Sequence, residues 1–338
     1  MGEVFLKIKK RLDIILHDFK IDLKYFYFNL ALIRFINGIS YRGKFLKQIN
    51  KWSLNKKDQC ILKYLAKNYG YIIDKYKNKE ETAIYSEKQN IWICWLQGEE
   101  SAPQLVKNCI NSVRRNANGH KVIIITKDNF KDYVDIPDYI LEKYEKGIIS
   151  HAHFSDIMRM SLICKHGGIW IDATVFCTKK LPDKIFNQLF FTCKSPVAET
   201  DYISNLQWTS FIIGGQKNSL FFRFNLEFYL EYWKKEEQLI DYLFIDYVIY
   251  LGYQNIMKIK YAMDANKINN TKRDELYSIF NEEFSLKRYQ ELLDSDTYLY
   301  KLSWREAFRH NTIEGKPTFY NVFLNKYDDI FTSQGVKL

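Results

Sequence analysis

The residues best suited to chemistry lie close together in the middle of the chain. Asp156 and Arg159 are three residues apart in a predicted helix, 152–166, so both side chains leave the same face of that helix. Asp172 lies near the carboxyl end of a predicted strand, 169–175, and ligands of open α/β sheets bind outside such ends. These three side chains would form a polar cluster for hydroxyl and phosphate groups. From the spacing alone, a surface ion pair and an unrelated turn aspartate explain the pattern equally well.

The segments around this cluster predict an α/β fold. Residues 91–96 and 122–126 are continuous apolar runs, which are typical of strands buried on both faces of a parallel sheet. A helix is predicted between them at 103–116, and alternating strands and helices build a mainly parallel sheet flanked by helices. Further helices are predicted at 138–146, 219–236, 240–252 and within 272–294, and further strands at 189–193 and 210–214.

The N-terminal quarter has a different character. Residues 1–80 contain 18 Lys and Arg against 7 Asp and Glu, an excess of 11 positive charges, whereas the whole chain has a net charge of +10. Apolar residues recur at helical spacing in 4–36 and 44–77, which predicts amphipathic helices with a break at 38–43. These helices either pack on the main body or bind an anionic membrane surface. Nucleic acid is not expected, because no helix-turn-helix, zinc-finger or RNP-type signature accompanies the charge.

Length and composition indicate a globular chain. It has 338 residues, 47% of them apolar, with only 14 Gly and 5 Pro, which excludes collagen-like and low-complexity proteins and allows a large core. Six cysteines occur without Cys-x-x-Cys spacing, a pattern that favours free thiols in a reducing, cytoplasmic setting. We expect neither a secretory signal nor a membrane-spanning helix, since the first residues lack a signal's apolar stretch and no apolar run approaches ~20 residues.

Several short motifs resemble the signature of a known group of enzymes. The sequences WICWLQGEE, SDIMR, HGGIWIDAT and DYLFIDY are similar to motifs of the capsular polysaccharide synthesis group and of family 32 sugar-nucleotide glycosyltransferases. Those proteins are related to the catalytic domains of the large clostridial glucosylating toxins. The resemblance covers roughly residues 90–255 plus a tail motif, KLSWR. It implies a GT-A-like fold and the transfer of a sugar from a nucleoside diphosphate.

The resemblance implies roles for the residues of the cluster. Trp95 corresponds to the tryptophan on which the uracil ring stacks, and core packing is the alternative explanation for this residue. Ser155 and Asp156 correspond to positions near the ribose and the transferred sugar. Arg159 corresponds to the arginine that reaches the sugar or its phosphate, which is compatible with an ion pair to Asp156. Asp172 corresponds to the first aspartate of an Asp-x-Asp motif.

The resemblance also implies a divalent metal ion, Mn²⁺ or Mg²⁺, at this motif. The second aspartate of the motif, which is the direct metal ligand in the family, is Thr174 in this chain. A neutral hydroxyl is a weak ligand for cations that prefer carboxylate and phosphate oxygens. Because Asp172 and the diphosphate could still hold the ion, the resemblance predicts a metal site at Asp172 and Thr174.

Two further groups of residues complete the predicted site. The resemblance implies that Asp246 lines the acceptor side, whereas Asp241 is equally well explained as a solvated residue of the same predicted helix. In the tail motif, the resemblance implies that Lys301 and Ser303 contact the diphosphate. Trp304 would belong to a lid that excludes water from the donor.

These observations give one prediction for the whole chain. Residues 1–88 would form a basic helical region, 89–262 a GT-A-like catalytic domain, and 263–338 a C-terminal helical region with the lid. The predicted reaction moves a hexose or N-acetylhexosamine from a UDP-sugar to a hydroxyl of a lipid-linked surface or capsular polysaccharide intermediate, with retention of configuration. Residues 1–80 would bind the anionic inner face of a bacterial plasma membrane, on the cytoplasmic side.

Two other functions fit the same residues. A protein that binds a nucleotide sugar or a glycan without turnover is compatible with Thr174, and the resemblance to toxins leaves open a transferase that modifies protein side chains. Dehydrogenase, kinase, hydrolase and zinc-enzyme functions are disfavoured, because the sequence has no G-x-G-x-x-G, Walker, G-x-S-x-G or zinc-binding spacing.

Overall fold

A mixed sheet forms the centre of the fold. The structure, a computed structural model, describes residues 2–40, 46–86 and 88–325. The strands are β1 (Ile91–Cys94), β2 (Val122–Ile125), β3 (Gly168–Ile171), β4 (Val175–Cys177), β5 (Phe191–Thr192), β6 (Ile212–Gly215) and β7 (Leu299–Lys301). Within the described ranges, β2, β1, β3, β6 and β5 form one sheet in that order, and β4 and β7 form a separate pair.

Helices flank this sheet and build the N-terminal quarter. They are α1 (Gly2–Tyr25), α2 (Phe28–Ser40), α3 (Lys47–Lys77), α4 (Gln104–Arg115), α5 (Asp138–Glu145), α6 (His151–His166), α7 (Asp183–Phe186), α8 (Leu220–Lys235), α9 (Phe244–Asn255), α10 (Met257–Ala265), α11 (Glu275–Ser278), α12 (Leu286–Asp294) and α13 (Phe319–Asn325). The predicted break at 38–43 is wrong in its first residues, because α2 continues to residue 40, and its remainder lies outside the described residues.

Three neighbouring strands of the main sheet, β2, β1 and β3, are parallel. β1 pairs in parallel with β2 and with β3, so that Ile91 lies opposite both Val122 and Ile169. β6 and β5 extend the sheet in the antiparallel direction. All residues of β3 are buried, which explains why its sequence is a continuous apolar run rather than an alternating one. The predicted α/β fold with a mainly parallel sheet flanked by helices is confirmed.

A pair of glycines allows β3 to approach β1 closely. Gly167 and Gly168 have φ angles of +74° and +102°, a backbone conformation that residues other than glycine rarely adopt. A Cβ atom on Gly168 would lie 2.2 Å from the carbonyl oxygen of Asn90, just before β1. The same oxygen accepts a hydrogen bond of 3.0 Å from the backbone N–H of Ile169. The glycines therefore end α6 and place the following strand against β1.

One strand is shorter than the sequence predicts. The predicted strand 169–175 is wrong in its length, because β3 ends one residue before Asp172, the chain turns, and β4 begins at Val175. The backbone N–H of Val175 donates to the carbonyl oxygen of Asp172 at 2.9 Å, which closes the turn. β4 then pairs with β7 in the antiparallel direction, with Val175 opposite Lys301. The turn thus presents Asp172, and the strand pair brings Lys301 to it.

The N-terminal helices share a hydrophobic core with the rest of the protein. Leu65, Tyr69 and Ile72 of α3 are fully buried, and α3 packs on α8 and α9. The hydroxyls of Tyr64 and Tyr69 both donate to Oε1 of Glu236, each at 2.7 Å. This packing agrees with the interpretation of a helical region seated on the main body. One hydrophobic core extends across the predicted domain boundary at 88/89. The predicted boundaries at 88/89 and 262/263 stay predictions.

Two properties of the described chain bear on its chemistry. Among the helices that the structure describes, none is both long and apolar enough to cross a bilayer. All six cysteines are free thiols. Burial raises the pKa of the Cys94 thiol, at the end of β1, to about 12, so this group is protonated and a poor nucleophile at neutral pH.

Candidate active site

A cleft of about 450 Å³ opens at the carboxyl ends of β1 and β3. Its walls are formed by residues 94–97, the first turns of α6, the turn after β3, and the segment 301–305, which begins at the last residue of β7. The predicted site residues that line it are Trp95, Ser155, Asp172, Thr174, Lys301, Ser303 and Trp304. The fold therefore brings together predicted residues from three distant segments of the chain.

Asp172 is the centre of the hydrogen-bond network in this cleft. Its Oδ1 accepts from Trp170 Nε1 at 2.8 Å and from Arg159 Nη2 at 3.2 Å, and its Oδ2 accepts from Lys301 Nζ at 2.8 Å. Burial alone would raise the pKa of this carboxyl, but Lys301 and Arg159 together hold the pKa below its usual value. Asp172 is therefore an ionised carboxylate with a fixed orientation at the floor of the cleft.

Arg159 is buried next to this carboxylate and does not line the cleft. It is 4% exposed, and its Nη1 donates to Asp156 Oδ1 at 2.7 Å. Its guanidinium carbon lies 4.8 Å from the ring centre of Trp170. The ion pair anticipated between Asp156 and Arg159 is present, and the arginine extends it to Asp172. The structure places Arg159 against Asp172, and direct contact of Arg159 with a sugar or phosphate stays a prediction.

Two further buried carboxyls surround this arginine. Burial raises the pKa of Asp156 to about 7, although Arg159 opposes that shift. Burial likewise raises the pKa of Asp246 to about 6, against the hydrogen bond of 2.8 Å that Trp208 Nε1 donates to it. Neither carboxyl lines the cleft. Sugar binding by Asp156 and an acceptor-side role of Asp246 therefore stay predictions.

Two tryptophans meet across the cleft. The rings of Trp95 and Trp304 are in edge contact, with centroids 5.7 Å apart and planes inclined by 75°. The indole N–H of Trp95 is buried and has no acceptor within the described part of the chain, which is uncommon for a buried donor. Trp304 is 42% exposed, and the guanidinium of Arg305 lies 5.3 Å from its ring centre. The pair offers aromatic surface and one unused N–H group beside the polar network.

The two predicted metal ligands, Asp172 and Thr174, both accept a hydrogen bond from the ammonium of Lys301. Lys301 Nζ donates to Asp172 Oδ2 and to Thr174 Oγ1, at 2.8 Å each. Across residues 2–40, 46–86 and 88–325, no group of three or more His, Cys, Asp or Glu side chains could hold a metal ion. One carboxylate and one hydroxyl bound to an ammonium do not fit a divalent cation, which needs several oxygen ligands. The predicted Mn²⁺ or Mg²⁺ site stays a prediction that this donor set disfavours.

Among the cleft residues that the sequence did not single out are three with large side chains, Trp170, Tyr242 and Arg305. Trp170 lies two positions before Asp172, so both side chains leave the same face of the chain, and this spacing is a signal that could reveal their hydrogen bond. Tyr242 and Arg305 line the cleft from irregular segments. Neither has a periodic pattern around it that would indicate its position.

Fold and cleft together define an α/β protein that can bind a polar ligand at the ends of its parallel strands. The chain belongs to the capsular polysaccharide synthesis protein family, whose model matches residues 42–323. It is 30% identical to "O-glycosyltransferase braB" of Annulohypoxylon truncatum over 115 residues. This alignment covers 31% of this chain and 27% of that protein. It is 32% identical to "Uncharacterized glycosyltransferase L373" of Acanthamoeba polyphaga mimivirus over 133 residues. This alignment covers 37% of this chain and 48% of that protein.

The aligned parts span less than half the length of these curated relatives. Among solved structures, the chain resembles "PaToxG Glycosyltransferase" with 16% identity over 64% of this chain and 85% of that one. The TM-score of this comparison is 0.34. The family is the one that the sequence motifs predict, and it and the two curated relatives support the predicted enzyme class, a glycosyltransferase.

The raised pKa of Asp156 makes the stability of the protein depend on pH in a defined direction. A carboxyl whose pKa is higher in the folded state contributes stability at low pH that is lost as the pH rises from about 4 to about 7. Relative to Asp156→Asn, the wild type should lose a few kcal/mol of unfolding free energy over this range, because one pKa unit corresponds to about 1.4 kcal/mol. Urea unfolding at several pH values measures this difference.

Asp135→Asn is the matched control for this experiment. Asp135 is 92% exposed, so its replacement should change the pH dependence of stability little. If the difference between the wild type and Asp156→Asn is the same at about pH 4 and about pH 8, Asp156 is not the buried titrating group described here.

Proposed function

We propose that the protein is a glycosyltransferase that moves a hexose or N-acetylhexosamine from a UDP-sugar to a hydroxyl of a lipid-linked surface or capsular polysaccharide intermediate. The observation that carries this proposal is the position of an aromatic ring, Trp95, and an ammonium, Lys301, in one cleft. A nucleoside diphosphate has a flat base and a charged diphosphate, and the cleft has a partner for each. Membership of the capsular polysaccharide synthesis family supports the class of acceptor.

In this proposal the donor lies along the cleft. The uracil ring stacks on Trp95, and the ribose lies beside Ser155 and Asp172. A carboxylate has about four acceptor positions, and Asp172 uses three of them within the protein, which leaves one for a ribose hydroxyl. Lys301 and Ser303 contact the diphosphate.

The exposed ring of Trp304 supports the role of a lid in this proposal. It extends from the segment that follows β7 and touches Trp95 only by an edge, so it can close over a bound donor. A closed lid would exclude the water that would otherwise hydrolyse the sugar.

The transfer step breaks the bond between the anomeric carbon and the diphosphate oxygen and forms a bond to the acceptor oxygen. The electron pair of the broken bond stays on the diphosphate, where the charge of Lys301 stabilises it. Asp172 is the one carboxylate among the described residues that line the cleft, and it is bound to three donors, so it is poorly suited as a nucleophile. We therefore propose front-side attack with retention, in which the acceptor proton passes to the departing diphosphate oxygen.

A second cleft supports an acceptor site beside the donor site. It has a volume of about 420 Å³ and lies between α1, α2 and the loop 238–242. Tyr242 lines both clefts, so they adjoin. In the second cleft Arg34 pairs with Asp22 at 2.6 Å and with Asp241 at 3.2 Å. The sequence predicts that Asp241 lies in a helix, 240–252. This prediction is wrong for Asp241, because α9 begins at Phe244. We propose that the growing glycan reaches the donor sugar through this second cleft.

Helix α1 supports contact with a membrane. Its residues Leu12, Leu16 and Leu23 are exposed, and their spacings of four and seven place them along one face of the helix. Lys20 and Lys24 are exposed on the adjoining face. An apolar stripe beside lysines fits an anionic lipid surface. We propose that α1 binds the inner face of the plasma membrane, which would hold the second cleft close to a lipid-linked acceptor.

The donor proposal predicts that UDP stabilises the protein against heat. A ligand at about 100 times its Kd adds about 2.7 kcal/mol of stability, which raises the Tm of a protein of this size by several degrees. Trp95→Ala should weaken UDP binding by roughly 5- to 150-fold, because stacking of a base on an aromatic ring contributes about 1–3 kcal/mol. Thermal unfolding with UDP, GDP, CDP or CMP measures both effects.

Trp52→Ala is the matched control, because Trp52 is an exposed residue of α3 that does not line the cleft. It should leave the effect of UDP unchanged. Stabilisation by a different nucleotide alone would contradict the UDP donor. Stabilisation by none of the four would contradict a nucleotide-sugar site altogether.

The membrane proposal predicts binding to vesicles that contain phosphatidylglycerol, and weaker binding as the salt concentration rises. Each lysine near an anionic bilayer contributes about 1 kcal/mol, so Lys20→Glu/Lys24→Glu should weaken binding at least tenfold. Co-sedimentation with vesicles measures this, and Lys165→Glu, on an exposed lysine of α6, is the control. Absence of co-sedimentation at low salt would refute membrane binding by α1.

A further inference from the structure

The backbone at Lys301 is fixed by hydrogen bonds to two other segments of the chain. The backbone N–H of Lys301 donates to the carbonyl oxygen of Arg273 at 2.8 Å, and that of Leu302 donates to the carbonyl oxygen of Thr174 at 2.9 Å. The antiparallel pairing of β4 with β7 sets Lys301 opposite Val175. The lysine is therefore part of the same rigid unit as the turn that carries Asp172.

This ammonium occupies the position between the two oxygens that a metal ion would need. Its distances to Asp172 Oδ2 and Thr174 Oγ1 are both 2.8 Å, the length of strong charge-assisted hydrogen bonds. A divalent cation bound to the same two oxygens would lie within a few ångströms of the lysine charge. The repulsion between the two cations would oppose binding, so the lysine and the metal are alternatives.

The residue at position 174 matches this choice of cation. Lys301 pairs with Asp172. Arg159 pairs with both Asp172 and Asp156, so two cations already face two carboxyl groups. A second aspartate at position 174 would add a third carboxyl group for the same two cations, at a site where Thr174 is only 9% exposed. Threonine accepts the hydrogen bond from Lys301 and adds no charge. A threonine in place of the second aspartate of Asp-x-Asp therefore suits a lysine at this position better than a metal ion.

We propose that Lys301 takes the place of the divalent metal ion, so that the protein binds the diphosphate of its donor without a metal. This inference rests on the proposed nucleotide-sugar site. An ammonium has three N–H donors, and the hydrogen bonds to Asp172 and Thr174 use two, which leaves one for a phosphate oxygen. Arg305, which also lines the cleft, supplies a second positive charge for the diphosphate.

Calorimetric titration with UDP, in EDTA and in MnCl₂, tests this proposal. The wild type should bind UDP in EDTA, and MnCl₂ should not strengthen this binding, because the charge that meets the diphosphate belongs to the chain. Lys301→Met should bind UDP at least tenfold more weakly in EDTA, since a charge-assisted hydrogen bond is lost. The double variant Thr174→Asp/Lys301→Met restores the two carboxylates of the family motif and removes the lysine, so it should bind UDP only with Mn²⁺.

Lys165→Met is the matched control, because Lys165 forms a lysine–aspartate pair with Asp135 at 3.0 Å outside the cleft. It should bind UDP as the wild type does. Wild-type affinity that falls at least tenfold in EDTA and returns with Mn²⁺ would overturn the proposal. Equal UDP affinity of Lys301→Met and wild type in EDTA would overturn it as well.

Binding of Mn²⁺ to the protein without nucleotide, measured by electron paramagnetic resonance, separates this inference from the donor proposal. The wild type should bind no Mn²⁺ at about 100 µM, and the double variant should bind it. If the wild type binds no UDP in either solution, the nucleotide-sugar site is refuted. The Mn²⁺ measurement then still decides whether Lys301 excludes the metal, and Mn²⁺ bound by the wild type would contradict that.

Discussion

The candidate site depends on one carboxylate that three parts of the chain share. Asp172 receives hydrogen bonds from β3 through Trp170, from α6 through Arg159, and from β7 through Lys301. The Asp172 side chain is only 27% exposed, and a carboxylate with so little contact with water depends on pairing and hydrogen bonds, so these partners must be in place together. The requirement couples the end of the main sheet to the small β4–β7 pair. It fixes the floor of the cleft before any ligand enters.

The N-terminal helices connect this cleft to the proposed membrane surface. α3 is part of the hydrophobic core, and Arg34 of α2 reaches the loop 238–242 through Asp241. That loop carries Tyr242, the residue that the two clefts share. A basic region that packs on the body and also presents apolar side chains to solvent can therefore serve both purposes. Packing and the proposed membrane binding, which the sequence leaves as alternatives, would use different faces of these helices.

The sequence predicts the fold and several of the residues that line the cleft, but Asp156, Arg159 and Asp246 do not line it. Continuous apolar strands, helical periodicity and the glycine pair are local signals, and the motifs on them identify Trp95, Asp172 and Lys301. The sequence does not predict what these residues do to each other. The turn at Asp172 lies between two buried apolar strands, so no alternation marks it. The pairing of Val175 with Lys301 joins segments far apart in the chain, and only the folded structure shows that the lysine reaches the predicted metal ligands.

The most direct test of the account is the release of UDP from a set of UDP-hexoses and UDP-N-acetylhexosamines, by the wild type and by Asp172→Asn. Asparagine keeps the shape of the side chain but removes the charge that orders Lys301 and Arg159. The account predicts measurable UDP release from at least one donor by the wild type, and a loss of at least 100-fold in Asp172→Asn. Absence of release by a wild-type protein that binds UDP, with and without the membrane fraction as acceptor, would contradict an enzyme and identify a binding protein.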